Sequence, residues 1–403
     1  MQNLFHTTIQ YHGPPAGQTP NAHLQIIQGL HNSYIWAVNE RLNKPDLLHK
    51  LPPADGTGVQ GHQPLMKNPP RQASWTPINP AKMILTTGKK DSLNGRLLSI
   101  LANASTNKTW VTQHPKAKNV TVSSAVNPTL PNFDPYKLAW AVGNKVVSRL
   151  VAAGIAPEQI ALLATFNCQT PSTPEQVGWL VRCVQGFHDT AVSHQTPFLA
   201  GQYNNAQESE SQQLTALGLQ SENSQRVTSS LKQAGNYLFV VGDTRAELGG
   251  SQFNQAGGRA EGSRTVPNPV PDNLTRLNLL HQAIQAGLVQ SCRYCAEGGI
   301  ATALAEMCHA GRVGAELQLI HVPRDWHAAY STDEVILFSE SASRFLVEVR
   351  PADAPRLRKM LADVPHECVA VIGGERLVAN GRTGTPILNL PVERIRKILN
   401  PGT

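Results

Sequence analysis

The sequence has little of what would tie it to a membrane or to an oxidising compartment. Across 403 residues there is no run of 18 or more apolar side chains, which leaves no candidate membrane-spanning helix. The opening MQNLFHTTIQYHGPP lacks the basic-then-apolar order of a secretory signal. Six cysteines, Cys168, Cys183, Cys292, Cys295, Cys308 and Cys368, are sparse for this length and show no framework spacing, as suits reduced thiols. A cytoplasmic protein with no membrane partner is the expectation. No basic helix stands out and the positive residues are little interleaved with aromatics, so no nucleic-acid partner is expected.

What is present is enough chain to bury a sizeable core in two domains, with 40% hydrophobic residues. The formal charge is +7. Residues 1–90 hold eight Lys/Arg against three Asp/Glu, so 8 − 3 = +5 of that excess lies in the first quarter. That quarter is also the richest in Pro, Gly, Gln, Asn and His, in stretches such as LPPADGTGVQGHQP and KNPPRQASWTPINP, and reads as a loosely structured extension. Gly88, Lys89 and Lys90 lack the rest of a phosphate loop and read as a solvated surface.

From residue 91 the pattern tightens. LNGRLLSILA reads as helical and KNVTVSSAV alternates like a half-buried strand. DPYKLAWAVGNKVVSRLVAAG is an amphipathic helix that Asp134 can cap and Pro135 can open, ended by Gly154. QIALLATFN, VGWLVRCVQGFHDTAVSHQ and TPFLAGQYN follow as strand, helix and strand, an α/β layer domain over 91–228. The second unit, 229–403, reads as α+β. NYLFVVGD is a strand, LTRLNLLHQAIQAG a helix, AELQLIHV, EVILFSE and SRFLVEVR three strands, ADAPRLRKMLADV a helix, and CVAVIGGERLVANG a strand hairpin.

The densest stretch is SCRYCAEGGIATALAEMCHAGRVGAEL, residues 291–317. Cys292 and Cys295 form a CxxC, but Cys308 and His309 are adjacent on a helix and point about 100° apart, so a zinc set is not completed and small thiols are the better reading. Glu297, Gly298 and Gly299 precede a helix whose Ile300, Ala303, Leu304 and Met307 share one face. Glycines there let bare amides approach an anion at the positive helix end, or else serve a tight turn needed only for packing. A bulky residue at position 298 is expected to abolish ligand binding or assembly and leave the fold intact.

Five ordered segments together resemble one family. The residue 134–186 segment, GDTRAELGGSQF, the 291–317 segment, LFSESASRFLVEV and VIGGERLV look like the C-terminal half of the synthetase part of phosphoribosylformylglycinamidine synthase. That enzyme's superfamily includes aminoimidazole ribonucleotide synthetase, selenophosphate synthetase and thiamine-phosphate kinase. The resemblance covers about residues 95 to 400. It implies a two-domain aminoimidazole ribonucleotide synthetase-like architecture, α/β plus α+β, paired through its sheets in a homodimer or with a complementary synthetase half. It implies ATP and magnesium as cofactors, formylglycinamide ribonucleotide as substrate, and a glutaminase subunit that supplies ammonia for the ATP-dependent amidation.

Carried over onto this chain, the resemblance offers Asn167, Gln202, Gly249, Gly250, Glu297, Gly298, Gly299, Ser339 and Arg344 as nucleotide- or phosphate-binding candidates, and Glu208 as a metal ligand. No residue stands out as catalytic. Arg344 can equally pair with Glu340, and Gly249 with Gly250 can simply permit a turn. The departures fall where the chemistry should be: Ala125 and Ala164 stand where the family has Asp, Ala200-Gly201-Gln202 replaces Ser-Gly-Asn, and Arg293-Tyr294 replaces His-Asp. Two lost carboxylates remove charge that magnesium needs. Beside the synthase reading stands a degenerate, non-catalytic scaffold or assembly subunit of the same superfamily.

Overall fold

A computed structural model describes residues 92–104, 111–113, 120–128, 133–168, 174–205, 211–220, 224–258, 260, 264–324 and 332–399. The N-terminal extension and Glu208 lie outside these.

The first unit is a five-stranded sheet in the order β1-β2-β5-β3-β4, formed by β1 (Val111–Gln113), β2 (Val120–Pro128), β3 (Ile160–Cys168), β4 (Phe198–Asn205) and β5 (Ser211–Leu219). Two long helices, α2 (Pro135–Ala152) and α3 (Pro174–His194), pack on each other and cover one face. Helix α2 starts as the sequence predicts: the Asp134 carboxylate accepts from Tyr136 N–H at 3.0 Å, and Pro135 fills the first position. β3 and β4 are parallel and joined through α3, whereas β5 runs antiparallel between β2 and β3. Strand β5 completes the sheet because Gln212, Leu214 and Ala216 alternate inward.

The second unit is a seven-stranded sheet ordered β12-β11-β8-β10-β6-β9-β7. Its strands are β6 (Tyr237–Val241), β7 (Val289–Tyr294), β8 (Ala315–Gln318), β9 (Phe345–Val349), β10 (His366–Ile372), β11 (Arg376–Asn380) and β12 (Pro386–Pro391). Its helices among the described residues are α4 (Gln252–Gln255), α5 (Asn273–Gln285), α6 (Gly299–Gly311), α7 (Asp333–Phe338), α8 (Ala354–Met360) and α9 (Val392–Leu399).

Two segments depart from the strand and the hairpin their sequence suggests. EVILFSE is not a strand but helix α7: Thr332 caps it by accepting from Val335 N–H, Asp333 and Glu334 sit in its first turn, and Val335 to Phe338 are all buried, so no face alternates. CVAVIGGERLVANG is not a hairpin either, because β8 inserts between β10 and β11, antiparallel to one and parallel to the other.

Two apolar cores result. One lies under α2 and α3 and continues across the junction into α5, β7 and β9, so α2 is sandwiched between the first sheet and the second unit. The other sits on the opposite face of the second sheet around α6 and α7. Helix α1 (Leu93–Ala104) inserts Leu97, Leu98, Ile100 and Leu101 into this second core, although the sequence placed it with the first unit. Among the described residues no helix is long and apolar enough to cross a membrane.

Candidate functional site

The Glu297-Gly298-Gly299 turn opens α6 at the junction of the two units. Gly298 and Gly299 both adopt left-handed φ, +73° and +65°, the region where a Cβ is strained. The reason for glycine is packing. A Cβ on Gly298 would lie 2.1 Å from Thr302 Oγ1 and 2.8 Å from Ile100 of α1, and one on Gly299 would meet the Leu337 and Ser339 carbonyls at 2.6 and 2.5 Å. A side chain at 298 therefore collides with α1 and α6, which corrects the expectation that the fold would tolerate it.

A carboxyl group does sit at the turn, and it belongs to the chain. Glu340 Oε1 accepts from Gly298 N–H at 2.9 Å and from Gln252 N–H at 2.8 Å, so one carboxylate ties the start of α6 to the start of α4. Burial, together with the neighbouring Glu297 charge, pushes the Glu340 carboxyl up to about 7 even though the Gly298 amide favours its ionised form. Glu297 takes the opposite course. Burial would raise it, but Lys145 Nζ and Arg149 Nη2, each at 2.8 Å, hold it well below the usual carboxylate range. Lys145 and Arg149 are one turn apart on α2, so this triad joins the first unit to the glycine turn of the second.

Behind the triad runs a buried polar network. Asn144 Nδ2 donates to Tyr294 Oη at 3.0 Å, while Asn144 Oδ1 receives Asn273 Nδ2 and the Ser343 hydroxyl, each at 2.8 Å. The His194 ring lies 3.1 Å from the same oxygen and 2.7 Å from the Thr190 carbonyl. Burial lowers His194 to about 4, against the backbone contact that favours its charge, so it stays neutral across the physiological range.

The predicted residues fall into two groups. Gly249 and Gly250, Ser339 and the 297–299 turn converge in the second unit: Ser339 Oγ accepts from Glu247 N–H at 3.2 Å, and Gly249 N–H donates to the Thr265 carbonyl at 2.8 Å. Arg344 is fully buried and spends its guanidinium on the carbonyls of Ser339 and Ser341 and on the Thr244 hydroxyl; no pairing with Glu340 forms. It therefore presents no donor to a surface ligand. Asn167 and Gln202 lie instead on β3 and β4 of the first sheet, where Gln202 registers against Thr165 and Asn167 against Asn204. The sequence reading missed Lys145, Arg149, Asn144 and Asn273. Lys145 and Arg149 carry a visible signal, two cations at i and i+4 on a helix otherwise packed into apolar surroundings, but their partner is 148 residues or more away.

The described residues do not make up a magnesium site. Among the described residues no three His, Cys, Asp or Glu side chains come together as a metal set. Ala125 and Ala164 flank Leu214 across adjacent strands, and all three are 2% exposed or less in the core beneath α2 and α3, so the positions are apolar packing sites. The thiols are equally closed: Cys292, Cys295 and Cys308 are buried, and burial pushes their pKa values up, Cys295 to about 11 and Cys308 to about 12, away from the thiolate that zinc or redox chemistry needs.

Residues 107–219 match the model of the AIR synthase related protein, N-terminal domain, and residues 233–375 that of its C-terminal domain. The chain is 27% identical over 292 residues to the phosphoribosylformylglycinamidine synthase subunit PurL of Anaeromyxobacter dehalogenans, covering 68% of this chain and 37% of that protein. To the same subunit of Alkaliphilus metalliredigens it is 28% identical over 269 residues, covering 64% of this chain and 35% of that protein. The chain thus spans little more than a third of the length of these relatives. The structure of T. maritima PurL complexed with FGAR superposes with a TM-score of 0.59 at 18% identity, over 69% of this chain and 46% of that one, and the same protein complexed with ATP superposes with a TM-score of 0.56 at 15% identity, over 73% and 49%. At such identity the likeness is one of fold.

Proposed function

Because this chain belongs to the AIR synthase related family, carrying both of its domains in order, we propose that it serves as one synthetase half of a phosphoribosylformylglycinamidine synthase in purine biosynthesis. In that role it takes part in the ATP-dependent amidation of formylglycinamide ribonucleotide, with a complementary half or a second copy completing the site and a glutaminase supplying ammonia, in the cytoplasm. The observation that carries the reading is the first sheet. Its α2–α3 face is a closed core, while the other face presents Val122, Leu163 and Leu217 and the 51% and 58% exposed Val126 and Leu219 around a hydrogen-bonded strip of Ser124, Gln213 and Thr215. Large apolar side chains left exposed on a sheet face call for a covering partner.

A second reading, a non-catalytic scaffold half, is favoured by the apolar row Ala125, Leu214 and Ala164 and by the Glu340 carboxylate occupying the glycine turn. Calorimetry on the full chain separates the two. Saturable heat with ATP and magnesium, enhanced by formylglycinamide ribonucleotide, is expected of a half that contributes nucleotide contacts. Absence of heat with ATP, alone and with the assembled partner, would leave only the scaffold.

A further inference from the structure

Lys145 and Arg149 bring two positive charges to one wall of the junction between the units, and a single ionised carboxylate, Glu297, answers both. The second acid nearby, Glu340, is turned to the Gly298 and Gln252 amides and is itself pushed towards the neutral form by burial. Arg149 is left with its Nη1 buried and without an acceptor among the described residues. An arginine fork with one unmatched arm, beside a lysine, on a helix face that meets the glycine turn, is the donor arrangement that a phosphate monoester satisfies: two charges, three oxygens, and bidentate capacity that a carboxylate cannot match in full. Glu297 sits on that turn with a third of its side chain exposed, in a position to swing outwards.

We propose that Lys145 and Arg149 form a receiving site for a phosphate monoester, and that the Glu297 carboxylate is an internal stand-in that the ligand's phosphate displaces. The proposal deepens the synthetase reading and rests on it for the class of ligand, the phosphate of a ribonucleotide. The carboxylate keeps the two cations apart from bulk anions and holds the units together until the phosphate takes its place. The incoming group then bridges α2 and the start of α6, and Glu297, freed, turns to solvent.

The test is phosphate binding by the full chain, followed by calorimetry with inorganic phosphate, ribose 5-phosphate and tripolyphosphate. Removing the competitor without removing the cations, Glu297→Gln, should tighten binding of the preferred probe by about tenfold or more, because the charged internal acceptor is gone. Arg149→Gln should weaken it by about tenfold, and Arg149→Lys, which keeps the charge and loses the fork, should fall between. Preference for ribose 5-phosphate assigns the site to the sugar-phosphate end of a substrate; preference for tripolyphosphate assigns it to a nucleotide; both support a phosphate site. Unchanged or weaker binding in Glu297→Gln, or binding indifferent to Arg149, would make the triad a structural tie and overturn the proposal. Should Glu297→Gln fail to fold, the wild-type, Arg149→Lys and Arg149→Gln series decides alone. These probes need neither turnover nor a partner half, so their failure leaves the synthetase reading standing.

Discussion

At the scale of single residues, two buried groups give the protein an acid-side optimum of stability. Glu340 has a folded pKa of about 7, above its unfolded value of 4.5, so its contribution is fully present below 4.5 and is lost as pH rises towards 7. His194 has a folded pKa of about 4, below its unfolded 6.5, so its contribution is present above 6.5 and is lost as pH falls towards 4. Together they place the maximum between about 5 and 6.5. Glu340→Gln keeps an acceptor for the two amides without a charge to bury, and should remove most of the alkaline decline, up to about 3 kcal/mol between pH 5 and 8. Urea unfolding at both pH values checks this; an unchanged slope in the variant would show that Glu340 does not carry it.

At the scale of elements, the α6 entry and the helix α1 that leans on it should behave as one packed piece. Gly298→Ala combines a strained left-handed φ with a contact inside Thr302 and Ile100, and is expected to cost about 2 to 4 kcal/mol in chemical denaturation. A cost under about 0.5 kcal/mol would mean that the turn is not packed as described. These elements also mark how far the sequence could be read. Helix α2 was legible because its cap, its proline and its apolar stripe agree locally, and β6 and β9 because each is a bounded apolar run. Helix α7 was not, since VILF buried on all sides has no period to distinguish helix from strand. The separation of β10 from β11 was invisible because it depends on β8, some 50 residues upstream, choosing to pair between them. In the site, the glycine turn was readable as a turn, but its anion was not: Glu340 meets Gly298 across 42 residues and Lys145 meets Glu297 across 152, contacts that only the tertiary fold creates.

At the scale of the whole molecule, the two units are joined by α2, by the Lys145–Glu297–Arg149 triad and by the Asn144 network, and the first sheet leaves Val126 and Leu219 exposed on its outward face. If that face seats a second copy, the full chain should sediment as a dimer, and replacing exposed Val126 and Leu219 together by lysine should return it to monomer with its helical signal unchanged. A wild-type monomer that stays monomeric with its complementary half present would contradict this use of the sheet. The proposed place in purine synthesis is open to a decisive genetic experiment, deletion of the gene in its own organism. The prediction is a growth requirement for a purine base with accumulation of formylglycinamide ribonucleotide; growth at the parental rate without purines, and no accumulation, would contradict it.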